Sequence, residues 1–177
     1  KFARGATDRP RIIYSKGAFH GLSTGSLALN GDESFREGFG DLIPGMERAD
    51  LENLDWIEHE LKKENVAAVI LEPIRGKGVF YPKDDSTYPT IEKLCRQHGT
   101  LLIADEIQSG MGRTGKMWAC QHWNLEPDIL VCAKALSGGI VPVGAILYSD
   151  AVYKKVFSRL DRCVVHSTTF GQNTFAM

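Results

Sequence analysis

Short, continuous apolar runs recur along the chain and predict buried β-strands. They lie at residues 11–14, 66–71, 101–103, 128–132 and 144–148. Their apolar residues are mostly consecutive and do not alternate with polar ones, so we expect strands that are covered on both faces of a sheet.

Segments between these runs carry apolar residues at helical spacing. One helix is predicted within residues 50–64 with Asp50 as its N-cap, a second over residues 88–98 with Gly99 as its stop, and a third within residues 150–160. The residues expected to face the sheet are Leu51, Leu54, Ile57 and Leu61 in the first helix and Ile91, Leu94 and Cys95 in the second. Strands that alternate with helices predict an α/β sandwich with a mostly parallel sheet.

In such a fold, ligands bind where the strands end, so functional residues should follow the apolar runs. No repeat, low-complexity tract or linker divides the chain, and the polar loop at residues 31–45 is not disordered in composition. We therefore expect residues 1–177 to form part of one domain. Both ends lie in helix-like sequence, so we also expect a piece of a longer protein.

Charge and cysteine usage exclude several classes of partner. The formal net charge is −1 and there is no long Lys or Arg run, so the sequence indicates no basic surface for nucleic acid or for an anionic membrane. The four cysteines are widely spaced, with no CxxC pair and no His and Cys cluster at the intervals of metal ligands. No apolar stretch reaches the ~20 residues of a membrane span. We expect a soluble, cytoplasmic protein with free thiols.

Two carboxylates, Asp105 and Glu106, directly follow the apolar run at residues 101–103. They should point to opposite faces if the strand continues. A carboxylate is costly to bury unless a cation or several donors meet it, so something positive should lie against one of them. A ligand role, a helix N-cap and a surface pair all remain open from this run alone.

Lys134 follows the next apolar run, at residues 128–132, and precedes small and flexible residues. Burial lowers the pKa of an amine and makes it a nucleophile able to form an imine with a carbonyl. The alternative is a lysine that extends from the strand end to water. A Lys and an Asp at neighbouring strand ends are the arrangement expected for pyridoxal phosphate, with an imine on one side and a pyridinium partner on the other.

Five segments resemble the class III aminotransferases in order and spacing. They are residues 17–21 (GAFHG), 72–76 (EPIRG), 105–115 (DEIQSGMGRTG), 127–139 (PDILVCAKALSGG) and 168–173 (TTFGQN). The resemblance implies the type I fold of pyridoxal-phosphate enzymes, with residues 1–177 as part of the cofactor-binding large domain. It also implies a homodimer with the active site at the interface.

The resemblance assigns chemistry to three polar residues. Lys134 would form the Schiff base with the cofactor and then move the proton between the substrate α-carbon and the cofactor. Asp105 would keep the pyridine nitrogen protonated by Coulomb attraction. Gln108 would hydrogen-bond near the phenolic oxygen of the cofactor.

Four further residues are assigned to the surroundings of the cofactor. Phe19 would stack on the ring with His20 beside it, Thr169 would reach the phosphate of the partner subunit's cofactor, and Glu72 would support the site near the substrate. Phe19 could instead be a core aromatic residue and His20 a hydrogen-bonded loop residue. We expect a structural role for Arg113, which has five donors to bridge loops, and the alternative for Gly138 and Gly139 is a simple turn after the lysine.

The chain departs from the family pattern in several places. Lys77 stands where many members that act on ω-amino donors carry Glu, and Gln172 stands where a second Gly is common. The family's upstream phosphate-binding loop and C-terminal small domain have no counterpart in residues 1–177, so we expect these residues alone to bind cofactor weakly.

The resulting prediction is a transaminase that moves an amino group between an amine or amino acid donor and an oxo acid or aldehyde. Two alternatives stay open. One is a non-catalytic dimerisation or scaffold module of the same fold, and the other is an aminomutase, which needs no second substrate.

Overall fold

A computed structural model describes residues 1–171 and 174–175. Over these residues the chain forms one six-stranded sheet with the order β2-β1-β3-β4-β5-β6. The strands are β1 (Arg11–Ser15), β2 (Met46–Ala49), β3 (Val66–Leu71), β4 (Leu101–Asp105), β5 (Ile129–Cys132) and β6 (Ala145–Tyr148). Neighbouring strands pair in parallel except β6, which is antiparallel to β5. The predicted mostly parallel sheet is confirmed.

Helices cover both faces of this sheet. They are α1 (Phe2–Thr7), α2 (Thr24–Leu27), α3 (Leu54–Leu61), α4 (Thr87–Gln97) and α5 (Asp150–Val156), with short 3-10 helices at Glu33–Phe35, Ala119–Trp123, Lys134–Ser137 and Leu160–Arg162. Residues of α3 and α4 pack on one face, and residues of α1 and α5 pack on the other. The predicted three-layer α/β sandwich is therefore confirmed. None of the helices described is long and apolar enough to cross a lipid bilayer.

The central strand β3 shows why the sequence folds this way. All six of its residues are buried. Val69 and Leu71 join the hydrophobic core beneath α3 and α4, whereas Ala68 and Ile70 join the core beneath α1 and α5. Since successive side chains of a strand point to opposite faces, a continuous apolar run is what a strand covered on both faces requires.

The first predicted helix begins later than expected, so Asp50 as its N-cap is wrong. The N-cap is Asn53, whose side chain accepts a hydrogen bond from the backbone N–H of Trp56. Asp50 instead closes a tight turn before the helix by accepting from the N–H of Glu52 at 3.0 Å. Both residue types cap helices, and the geometry of the turn after β2 decides between them.

The second and third helices agree better with the prediction. Ile91, Leu94 and Cys95 of α4 are buried as expected. Gly99 has a φ of 60°, the left-handed conformation that ends many helices. The third helix, α5, ends at Val156 and is shorter than predicted.

The packing of α3 on the sheet yields a stability prediction. Ile57 lies on α3 and is 0% exposed. Replacing it with Ala should lower the free energy of unfolding by about 2–5 kcal/mol, because the change leaves a cavity in the core. Urea denaturation measures this loss. The matched control is Ile140→Ala, at a residue that is 86% exposed, and an equal loss in both variants would contradict the packing described.

Candidate active site

A pocket of about 340 Å³ lies at the edge of the sheet where the parallel strands end. Its lining residues are Phe19, His20, Gly21, Glu72, Gly76, Lys77, Asp105, Ile107, Gln108 and Lys134. These residues follow β1, β3, β4 and β5, and parallel strands bring their carboxyl ends to one edge of a sheet. The pocket therefore brings together residues that are far apart in sequence. Six of the seven predicted site residues line it.

Asp105, the last residue of β4, lies in this pocket and is only 5% exposed. Its Oδ2 atom lies 2.7 Å from Nδ1 of His20, and its Oδ1 atom accepts a hydrogen bond from the N–H of Ile107 at 3.1 Å. Both carboxylate oxygens therefore have partners, which offsets the cost of burying the charge. The hydrogen bonds also fix the direction in which the carboxylate points.

Glu106 is even more buried, at 1% exposure, but it does not line the pocket. Its carboxylate accepts hydrogen bonds from the hydroxyl of Ser109 at 2.6 Å and from the N–H of Cys120 at 2.7 Å. The two adjacent acids thus have separate surroundings, Asp105 in the pocket and Glu106 in a structural network. Neither is a surface residue. The side chain that meets the Asp105 carboxylate is His20.

His20 is buried, and beside its contact with Asp105 its Nε2 atom has no hydrogen-bond partner among the described residues. A buried ring nitrogen that is left unpaired is costly, so this atom is available to a group that enters the pocket. The geometry agrees with His20 as a hydrogen-bonded loop residue. Its role at a cofactor stays a prediction.

Glu72 lines the pocket and forms hydrogen bonds with two loops. Its carboxylate accepts hydrogen bonds from the N–H of Phe19 at 2.9 Å and from the N–H of Gly76 at 3.3 Å. Burial raises the pKa of Glu72, and the two backbone donors and nearby His20 offset only part of that effect. Glu72 therefore positions the loop that carries Phe19, in keeping with the supporting role expected of it.

Lys134 lines the pocket and is exposed, in agreement with the alternative of a lysine that extends from the strand end to water. The strand β5 ends at Cys132, and Lys134, which has a φ of 44°, begins the 3-10 helix Lys134–Ser137. Its Nζ atom donates a hydrogen bond to Oε1 of Gln108. Left-handed backbone is strained for a residue other than glycine and is often found at functional sites.

Phe19 fits both interpretations that the sequence left open. It is half-buried, packs against Phe35 with the ring centroids 5.3 Å apart, and also lines the pocket. An aromatic ring in this position can cover one side of a planar ligand. Ile107 adds a second apolar side chain that the sequence analysis did not single out, although it lies two residues after Asp105.

Other predicted residues lie outside the pocket. Thr169 is exposed and does not line it, and Gln172 lies outside the described residues. Arg113 is exposed as well, and its structural role stays a prediction. Gly138 and Gly139 have φ values of 66° and 82°, as the interpretation of a turn requires.

Lys77 and Gly76 complete the lining. A Cβ atom at Gly76 would lie 2.6 Å from Cγ of Gln108, so the close approach of these two loops requires glycine. Lys77 forms an ion pair with Asp32, which lies in the polar loop at residues 31–45 and in none of the five family segments. Only the folded chain reveals this contact. Among the residues described, no group of His, Cys, Asp and Glu side chains could hold a metal ion.

Comparison with known proteins decides the family. A family model described as Aminotransferase class-III matches residues 1–177. The chain belongs to the class-III aminotransferases. This membership confirms the resemblance that the five sequence segments indicated.

Solved structures of aminotransferases and transaminases agree closely with this fold. An ornithine aminotransferase from Toxoplasma gondii is 33% identical, with a TM-score of 0.90 over 99% of this chain and 42% of its own. A taurine:2-oxoglutarate aminotransferase from Bifidobacterium kashiwanohense, solved with PLP and glutamate, is 29% identical, with a TM-score of 0.89 over 99% of this chain and 44% of its own.

An amine transaminase from an uncultivated Pseudomonas species, in its PLP-bound internal aldimine form, is 26% identical, with a TM-score of 0.84. The alignment covers 96% of this chain and 45% of that one. The chain thus spans less than half the length of these structures. The type I transferase fold that the sequence implied is confirmed.

The buried carboxyl of Glu72 gives a pH-dependent prediction. Its pKa is raised above the usual 4.5 in the folded protein. The folded state therefore keeps the proton longer than the unfolded state, and stability is lost as the pH rises from about 4.5 through the folded pKa. Relative to the wild type, Glu72→Gln should gain stability between pH 4 and pH 7, as measured by urea denaturation across this range.

Glu37→Gln, at an exposed position, is the matched control. A difference between Glu72→Gln and the wild type that stays constant with pH would show that burial does not govern the titration of Glu72.

Proposed function

We propose that the protein is a pyridoxal-phosphate-dependent transaminase that moves an amino group from an amine or amino acid donor to an oxo acid or aldehyde. One observation carries the proposal. Asp105 and Lys134 follow adjacent strands of a class-III aminotransferase chain and line one pocket. Because the chain spans less than half of the related structures, the proposal concerns the whole protein.

The residues of the pocket fit pyridoxal phosphate. Asp105 offers a buried carboxylate to a protonated ring nitrogen, Phe19 and Ile107 offer apolar walls, and Lys134 offers a primary amine. The pocket volume of about 340 Å³ lies within the range of ~300–1,000 Å³ usual for small-molecule sites. When bound, pyridoxal phosphate supplies a carbonyl carbon for amines and an electron-withdrawing ring that stabilises negative charge on the substrate α-carbon.

Each side chain has a separate task in this proposal. The primary amine of Lys134 would hold the cofactor through its Nζ atom. When free of the cofactor, the same Nζ atom would take up the proton of the substrate α-carbon. Gln108, which accepts a hydrogen bond from Nζ in this structure, orients the amine between these steps.

Asp105 holds a proton on the ring nitrogen through charge attraction in a site of low polarity. The hydrogen bond from Ile107 and the contact with His20 keep its carboxylate in place. Phe19 would cover one side of the cofactor, and Glu72 keeps the loop of Phe19 in position through the N–H of Phe19.

The remaining parts of the proposal concern assembly and location. We place the active site at the interface of a homodimer, where Thr169 reaches the phosphate of the partner subunit's cofactor. The exposed position of Thr169, away from the pocket of its own chain, is compatible with this role. We also propose a cytoplasmic location, because the cysteines described are free thiols and three of them are buried.

The attachment residue can be tested by spectroscopy on the whole protein. Incubation with pyridoxal phosphate should produce an imine absorbance band, and borohydride should fix the cofactor on Lys134, as found by peptide mapping. Lys134→Ala should lack both signals, whereas the control Lys93→Ala, on the exposed side of α4, should keep them. Absence of a band in the wild type would favour the scaffold module over the transaminase.

The role of Asp105 predicts a separation of binding from chemistry. Asp105→Asn keeps the shape of the side chain but removes its charge, so the rate of the amine-donor half-reaction should fall by about 100-fold or more. Attachment of the cofactor to Lys134 should persist. Stopped-flow absorbance measures both, with the exposed Asp41→Asn as control. An Asp105→Asn variant that keeps most of the wild-type rate would remove Asp105 from this role.

A further inference from the structure

The loop that follows β4, residues 106–120, begins with a tight turn that carries Gln108. The N–H of Gly110 donates to the carbonyl oxygen of Glu106 at 2.9 Å. A Cβ atom at Gly110 would lie 2.7 Å from that oxygen and 2.8 Å from Cε3 of Trp118, so the turn has no room for a side chain there. Gln108 lies in the middle of this turn, and its direction depends on the conformation of the turn.

The side chain of Glu106 joins this turn to the far end of the loop. Its carboxylate accepts hydrogen bonds from the hydroxyl of Ser109 at 2.6 Å and from the N–H of Cys120, which lies 14 residues further along the chain, at 2.7 Å. Glu106, Ser109 and Cys120 are all buried. Two neutral donors offset only part of the cost of burying a charge, so the main effect of this arrangement is on geometry.

The backbone of Glu106 connects the same loop to the strand that precedes Lys134. The N–H of Glu106 donates to the carbonyl oxygen of Val131 in β5 at 2.8 Å. The strand β5 ends at Cys132, and Lys134 begins the 3-10 helix that follows it. Glu106 is therefore bonded through its backbone to the segment before Lys134 and through its side chain to the loop of Gln108.

Gln108 contacts Lys134 from an exposed position. Its Oε1 atom accepts a hydrogen bond from Nζ of Lys134. Its other close neighbour is Gly76, where a Cβ atom would lie 2.6 Å from Cγ of Gln108. An exposed glutamine loses rotamer freedom when it is held in one conformation. The contact with Lys134 therefore depends on a backbone that is already fixed at residues 106–110.

We propose that Glu106 is a positioning residue for transamination, because its carboxylate closes the loop at residues 106–120 and so holds the side-chain oxygen of Gln108 against the amine of Lys134. The inference rests on the proposed function, and it adds a residue that does not line the pocket. Glu106 acts through Gln108, so its removal should matter only while Gln108 is present.

Three variants separate the hydrogen bonds of Glu106 from its volume. Glu106→Leu fills a similar space and removes both acceptors. Glu106→Gln keeps an acceptor for the N–H of Cys120, and its amide can donate to the hydroxyl of Ser109, which then turns to accept. Ser109→Ala removes one of the two hydrogen bonds. We therefore expect a large effect from Glu106→Leu and small effects from the other two.

The first measurement follows the attachment of pyridoxal phosphate to Lys134 in the whole protein prepared without cofactor. The second-order rate constant from stopped-flow absorbance should fall by about 10-fold in Glu106→Leu, because a displaced Gln108 no longer orients Nζ. Glu106→Gln and Ser109→Ala should stay within about threefold of the wild type, because each keeps part of the tie. Ile57→Ala is the matched control, since it lowers stability in the core and should keep the wild-type rate.

A double-mutant cycle with Gln108→Ala tests the route of the effect. If Glu106 acts through Gln108, Glu106→Leu should slow attachment no further once Gln108 has been replaced. The proposal is overturned if the two effects multiply in the double variant, if Glu106→Leu keeps the wild-type rate, or if Glu106→Gln is as slow as Glu106→Leu.

A second measurement needs no cofactor. The side-chain amide of Gln108 should be ordered in the wild type and in Glu106→Gln and should lose this order in Glu106→Leu, as measured by its heteronuclear NOE in NMR. An amide that is equally ordered in all three proteins would contradict the proposal.

The two measurements separate the two hypotheses. If the wild type does not attach pyridoxal phosphate but the Gln108 amide loses order in Glu106→Leu, positioning by Glu106 is supported and the proposed function fails. If transamination occurs but neither the attachment rate nor the order of Gln108 responds to Glu106→Leu, the proposed function stands and the role of Glu106 fails.

Discussion

The parallel pairing of β4 with β5 is the constraint on which the site depends. Asp105 lies opposite Val131 in this pairing, and the N–H of Glu106 extends it by donating to the carbonyl oxygen of Val131 at 2.8 Å. Both strands therefore end at the same edge of the sheet, one with Asp105 and the other with Lys134 two residues beyond its last position. A shift of either strand by one residue would break hydrogen bonds inside a sheet that is covered on both faces. The register of this pairing therefore determines where both side chains lie.

The elements that the sequence predicted are those whose signal is local. The strand β3 is apolar at every position because both of its faces are covered, and α4 repeats apolar residues at helical spacing. The strand β2 was missed because it lies at the edge of the sheet and contains the charged pair Glu47 and Arg48. An edge strand needs to bury less of its surface, so it carries no continuous apolar run.

In the site, too, some features have a local signal in the sequence and others do not. Residue types at strand ends indicated Asp105 and Lys134 because strand order in an α/β sheet brings such ends together. The choice between a buried and an exposed Lys134 and the ion pair of Lys77 with Asp32 could not be made in this way. Both depend on the paths of loops that are distant in sequence, and the resemblance to a family could mark Lys77 only as a departure.

Asp105 and Glu72 line the same pocket but have different surroundings. This difference couples the charge in the pocket to the loop of Phe19, which Glu72 holds. Asp105 has a partner on each oxygen, whereas burial raises the pKa of Glu72 and the negative charge of Asp105 raises it further. A cation that binds to Asp105 removes part of that repulsion and lets Glu72 lose its proton at lower pH. Ionised Glu72 accepts more strongly from the N–H of Phe19, so a cation bound in the pocket would hold the loop of Phe19 more firmly.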